Sequence, residues 1–204
     1  MSTPAEELPI ETGFDIFAFW EEYQAKIILA AVLLVVAVGG YVTFEVAATR
    51  KAANAESALA KADSIEQLQA VVKDYSGSIA AGNASVLLGG KLRDEKKYDE
   101  SLAVLREFIE KNPTHPLVGG ALLSIGTTLE AQGKDTEALE TYQQIATKYN
   151  DSYSAPLALM AQANIQRAKG KTADARRSYE SLMSLYPESL LSQQAMQDMK
   201  MLKK

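Results

Sequence analysis

The strongest constraint on this fold is self-similarity at a fixed offset of 37 residues. Glu100-Ser101-Leu102, Glu137-Ala138-Leu139 and Asp174-Ala175-Arg176 open the same phrase. Lys97, Lys134 and Lys171 align just ahead of it, preceded by Lys96, Gly133 and Gly170. Leu105, Tyr142 and Tyr179 follow, then Phe108, Ile145 and Leu182, and Pro113, Asn150 and Pro187 close the three phrases. Upstream, Gly89, Gly126 and Ala163 align. Repetition on this scale marks a stacked array, in which no unit buries its apolar face alone and each leans on its neighbours.

The residues within a copy predict a helical hairpin. Small side chains on a first helix (Gly126, Ala163) and on a second (Ala138, Ala175) let two antiparallel helices approach closely. Large residues one turn later, Tyr142 and Tyr179, fill the space between hairpins. Gly133 and Gly170 suit the left-handed position that ends a helix. Pro113, Pro116, Pro156 and Pro187 punctuate the joins, since proline cannot continue a helix interior. Full copies are expected at about 82–115, 119–152 and 156–189. A half-copy ends near 78, with Ser64, Leu68, Val71 and Tyr75 in second-helix places. Leu191, Ala195, Met199 and Leu202 form a stripe on a closing helix, a cap over 190–204.

These positions resemble the tetratricopeptide repeat, with its small residue, alanine, aromatic and proline in order. Gly126, Ala138 and Tyr142 match that pattern, as do Ala163, Ala175, Tyr179 and Pro187; Gly89, Ser101, Leu105 and Pro113 match it more weakly. The tryptophan early in the repeat is missing, and the period of 37 implies about three extra residues between hairpins compared with the usual ~34. The expected fold is all-α, a tetratricopeptide-like solenoid over residues 49–204.

Ahead of the repeats, Ile27 to Phe44 reads IILAAVLLVVAVGGYVTF without one charge. As a helix this run covers about 27 Å, and its Ala and Val flanks extend it across a ~30 Å hydrocarbon layer. A transmembrane helix is expected at residues 27–48. A cleaved signal peptide has a basic leader and a shorter apolar run. This leader is acidic, so a retained single-pass anchor is expected.

The leader divides in two. Residues 1–13 are acidic, carry Pro4 and Pro9, and are expected to be disordered. Residues 14–26 interleave Phe14, Phe17, Phe19, Trp20 and Tyr23 with acids, a composition suited to a membrane interface. Ile16, Phe19, Trp20 and Tyr23 share one helical face, which also fits docking on a membrane partner.

Charge and chemistry exclude several functions. The net charge of -5 resides wholly in residues 1–26, where six acids face Lys26; beyond them 20 basic residues balance 20 acidic ones. No basic excess points to nucleic acid. There is no cysteine, and the single His115 lies in a proline-flanked turn with no second histidine beside it. No glycine-rich phosphate loop or Ser-His-Asp set is present, and the clusters Asp94-Glu95 and Asp99-Glu100 flank a lysine-rich turn. Catalysis, a metal and a cofactor are not expected. The chain reads as a binder of other proteins or peptides.

The order of parts resembles the YfgM-like ancillary subunits of the bacterial Sec translocon. Trp20-Glu21-Glu22-Tyr23-Gln24-Ala25-Lys26 stands where those proteins carry an aromatic and acidic leader, followed by one spanning helix and a small repeat domain. The resemblance implies an inner-membrane protein with a periplasmic domain, associated with the translocon and assisting periplasmic chaperones. A scaffold in cell division or outer-membrane assembly, or a cytoplasm-facing adaptor, is the alternative. Lys26 on one flank against Arg50, Lys51 and Lys61 on the other favours a cytoplasmic repeat domain by the positive-inside rule, opposite to the resemblance. The partner-binding candidates are polar first-helix residues: Asn83, Ser124, Thr127, Thr128, Gln162 and Gln166.

Overall fold

A computed structural model describes residues 16–202. Among them every regular element is a helix: α1 (Ile16–Ala60), α2 (Ile65–Asp74), α3 (Ile79–Asp94), α4 (Tyr98–Lys111), α5 (Val118–Ala131), α6 (Asp135–Lys148), α7 (Ser154–Ala168), α8 (Thr172–Leu185) and α9 (Leu190–Met201). The fold is all-α, as the periodicity predicts. The expectations for the tail at 1–13 and for Phe14 fall outside the described residues. The chain divides into two compact units, Met1–Arg50 and Lys51–Lys204.

In the first unit α1 carries the apolar run without interruption. None of the side chains from Ile27 to Phe44 is buried. Gly39 and Gly40 sit within the helix in open space, and the Thr43 hydroxyl donates to the Gly40 carbonyl at 2.9 Å. A helix that is apolar on every face, yet buries none of them, has the pattern of one surrounded by hydrocarbon. It is long and apolar enough to cross a membrane.

In the second unit the helices pair as antiparallel hairpins, α3 with α4, α5 with α6 and α7 with α8. Each second helix also packs on the next first helix, α4 on α5 and α6 on α7. The first helices α3, α5, α7 and α9 touch in succession, whereas α2, α4, α6 and α8 do not pack on one another. That asymmetry leaves a groove between each successive pair of second helices.

Steric detail explains why this sequence packs so. A Cβ on Gly89 would stand 2.6 Å from Leu105 Cγ, and one on Gly126 would overlap the ring of Tyr142. Ala163 takes the equivalent place beside Tyr179, and all of these large partners are fully buried. Ala84, Ala121, Ala158 and Ala195 recur at the same offset and are also fully buried, so α9 stands where a fourth copy has its first helix. Gln193, Gln197 and Lys200 are exposed on its far face, at places held by Gly119, Leu123 and Gly126 two copies earlier. This face of α9 thus carries three polar side chains where the earlier copy has small or apolar ones.

The three hairpin turns share one geometry. The amides of Lys97, Lys134 and Lys171 donate to Leu92, Leu129 and Gln166 carbonyls at 2.8, 2.9 and 2.8 Å, and those of Lys96, Gly133 and Gly170 to Arg93, Glu130 and Arg167. This is a Schellman motif, which needs a left-handed residue at its C′ position. Gly133 and Gly170 supply it at φ 74 and 71; Lys96 adopts the same conformation at φ 62. The first turn is therefore strained where the other two are relaxed.

At its start the stack is closed by the end of α1. Ala55 is fully buried, and Ala58 and Leu59 pack against a cluster containing Leu68 and Val71 of α2 and Ala84, Leu88 and Leu92 of α3. Ser64 caps α2 in a complete capping box with Gln67, whose side chain accepts from the Ser64 amide at 3.1 Å.

Candidate functional site

A first helix in this stack has four sides: its neighbours before and after take two, the grooves take one, and the last faces outward. The six partner-binding candidates do not share a side. Asn83, Ser124 and Thr127 lie on the outward stripe and are half-buried. Thr127 accepts a hydrogen bond from Arg93 at 3.0 Å, across neighbouring first helices. Around them the stripe is small and apolar, with Ile79, Leu87, Tyr153 and Leu157 exposed.

Thr128 does not belong to any accessible surface, a correction to the sequence reading. It is fully buried against the preceding copy, donating to the Ser124 carbonyl at 2.7 Å and lying 3.3 Å from the Ser101 hydroxyl. Ser101 in turn bonds the Gly89 carbonyl at 2.7 Å. Both hydroxyls are satisfied inside the protein, which is what makes them tolerable there.

Gln162 and Gln166 face the opposite side, lining the groove between α6 and α8. Gln162 is only 4% exposed and donates to Gln143 Oε1 at 3.1 Å; Gln166 accepts from the Ser178 hydroxyl at 2.9 Å. The Gln162 amide nitrogen and the Gln166 amide oxygen are thus already engaged within the protein.

The grooves themselves are repeats of one another, a feature visible only once the helices are placed. The first lies between α2 and α4 with α3 as its floor, the second between α4 and α6 over α5, the third between α6 and α8 over α7. Equivalent residues line them: Val104, Thr141 and Ser178 on one wall, Val72, Ile109 and Ala146 near the other. Their volumes are about 420, 310 and 530 Å³. The third is wide and polar, lined by its glutamines and by the Asp174–Arg177 pair. The first is narrower and walled by Val72, Leu88, Val104 and Phe108.

His115, expected to be a simple turn residue, does pack. Its ring meets Phe108 edge-on at 5.1 Å, and a Cβ on Gly82 would stand 2.7 Å from its Nε2. Its Nδ1 accepts from the Leu117 amide at 3.1 Å. No group of three or more metal-ligating side chains occurs among the described residues.

The interior tyrosines contribute chemistry of a structural kind. Tyr142 donates to the Glu130 carboxylate across its own hairpin. Burial first, then the Glu130 hydrogen bond and charge, push its phenol far above the ordinary range. Burial likewise raises Tyr179, whose hydroxyl donates to Asn164 at 3.1 Å.

The membrane-interface candidates that are described, Phe17, Phe19, Trp20 and Tyr23, occupy the opening turns of α1. Phe17 is 83% exposed, while Phe19 and Tyr23 stack at 4.9 Å with Lys26 lying 4.9 Å above the Tyr23 ring. A cation held over an aromatic face places the only basic residue of the leader beside the start of the apolar run.

No curated protein matches the chain closely enough to count as a relative. The model of one family, the tetratricopeptide repeat-like domain, matches residues 18–201 and so takes in the apolar helix together with the hairpins and the final helix. With small-on-large hairpin packing, Schellman turns and a stack of first helices, this chain belongs to the tetratricopeptide repeat-like domain family.

Proposed function

We propose that this chain is a single-pass inner-membrane protein whose repeat domain lies in the periplasm, where it serves as an ancillary subunit of the Sec translocon and helps chaperones receive emerging chains. The observation that carries this reading is the apolar run of α1, exposed along its whole length and long enough to cross a membrane, preceded by the aromatic leader. A tetratricopeptide-like stack supplies binding surface without catalytic machinery, the usual role of such solenoids. The leader aromatics would then sit at one membrane face, and the apolar run would cross the hydrocarbon.

A second reading has its own support. Arg50, Lys51 and Lys61 outnumber Lys26 across the apolar run, which favours a cytoplasmic repeat domain and an adaptor role there. The bias is small, and large domains cross membranes largely regardless of charge. Scaffolding in cell division or outer-membrane assembly uses the same architecture with other partners.

Topology separates the two sides. The chain has no cysteine, and Asn150 is exposed in the α6–α7 connection, with only its carbonyl engaged, by Tyr186 at 2.7 Å. Asn150→Cys in cells with a permeabilised outer membrane is expected to react with a maleimide that cannot cross the inner membrane. Protection until lysis would overturn the periplasmic placement. Co-purification in mild detergent is expected to retain translocon subunits; their absence, with another complex enriched, would move the chain to that complex.

A further inference from the structure

The three grooves provide an internal comparison. At the centre of the floor, the second and third carry Leu122 and Leu159, and the fourth first helix carries Met196 at the equivalent place. The first groove alone carries Ser85, whose hydroxyl turns back to the Ala81 carbonyl at 2.9 Å and offers nothing to a neighbour. What remains is a hollow of about 420 Å³ with a polar rim and with Val72, Leu88, Val104 and Phe108 in its walls, a size typical of ligand clefts. Leaving such space unfilled forfeits packing that a leucine would restore. A serine at one of several equivalent positions that otherwise carry leucine or methionine breaks the packing rule of its own repeat, as functional positions do.

The rim indicates what enters. Each of the other two grooves balances one basic against one acidic residue, Arg106 with Glu110 and Arg177 with Asp174. The first has Lys73 and Lys111 against Glu107 alone. Lys111 pairs with Glu107 at 2.5 Å, which leaves Lys73 as the free cation of this rim among the described residues. We propose that the α2–α4 groove docks a partner polypeptide segment in which a large aliphatic or aromatic side chain enters the hollow over Ser85 while an adjacent carboxylate meets Lys73. This rests on the repeat domain being a protein-binding module and specifies where and by what chemistry it binds.

The test uses the full chain in lipid nanodiscs on an array of randomised hexapeptides. Peptides pairing Leu, Phe or Met with a neighbouring Asp or Glu are expected to be enriched over their Lys and Arg counterparts. Ser85→Leu, which copies the sister grooves, is expected to hold or raise the melting temperature while weakening the selected peptides about tenfold or more, the value of one large buried side chain. Lys73→Glu, on an exposed residue that does not threaten folding, is expected to shift the preference toward basic neighbours by a few-fold. Acid-flanked peptides selected equally well by both variants would overturn the groove assignment and leave the module reading standing. Selection of peptides with no apolar-acidic preference would overturn the proposed chemistry. No peptide retained above empty nanodiscs would refute peptide binding by the module, and the groove with it.

Discussion

The same substitution at two glycines of the repeat domain is expected to change stability in opposite directions. Gly90 and Gly126 both lie within first helices, α3 and α5. Replacing either by alanine removes the backbone entropy penalty of a helical glycine, a gain of about 1 kcal/mol. A Cβ at Gly90 meets nothing within 4 Å, so Gly90→Ala keeps that gain. A Cβ at Gly126 falls on the ring of Tyr142, which is fully buried and rigid and whose hydroxyl is tied to Glu130. Overpacking of this kind costs roughly 1–3 kcal/mol. Pulling the phenol from a charged acceptor adds about 1.5–3 kcal/mol. The net for Gly126→Ala is then a loss of about 1.5–5 kcal/mol. Urea unfolding of the full chain in detergent, followed by far-ultraviolet circular dichroism, reads both. Midpoints that move in the same direction would refute the assignment of Gly126 as a steric contact. Adding Tyr142→Ala to Gly126→Ala, which removes the ring that the new Cβ meets, is expected to cost less than the sum of the single changes, the sign of direct contact.

Two further outcomes follow from the turns and from the buried phenols. Lys96→Gly is expected to stabilise by about 0.5–1 kcal/mol, because it removes a left-handed lysine and gives the first turn the residue of the other two; an unchanged thermal midpoint would refute that source of strain. Tyr142, Tyr179 and Tyr186 are all raised above the ordinary phenol value, in each case chiefly by burial. A phenol that holds its proton more tightly when folded contributes stability that is complete below its unfolded pKa of ~10 and declines as pH rises beyond it. An alkaline titration by ultraviolet absorbance is therefore expected to show a late fraction that ionises together with loss of helical signal. Ionisation of all nine tyrosines at ordinary values, with the helices intact, would show that the phenols are not sealed in.

What the sequence determined by itself is what short-range sterics can encode. Pairs such as Gly126 with Tyr142 and Ala163 with Tyr179 are complementary in size, and a left-handed turn selects glycine, so both recur at the period and show in the chain alone. An apolar run without a charge likewise defines a helix with no wet face. The closing helix was legible as a stripe of Leu191, Ala195, Met199 and Leu202, but the structure showed that it stands as a first helix, with Ala195 continuing the column of Ala84, Ala121 and Ala158.

The tertiary structure decided which way each polar first-helix residue faces. A first helix is contacted on three sides here, so polarity at a position does not reveal its direction. Thr128 is buried beside Ser101, which stands where the other copies have alanine, and each hydroxyl donates its proton to a carbonyl of its own copy, Ser124 and Gly89. Gln162 and Gln166 fall on the groove side, across the helix from Asn83, Ser124 and Thr127. The groove over Ser85 had a signal in the sequence, a serine in a column of leucine and methionine. That signal acquires physical meaning only when second helices stand far enough apart to leave the space open, a spacing set by the contact between first helices and by no single residue.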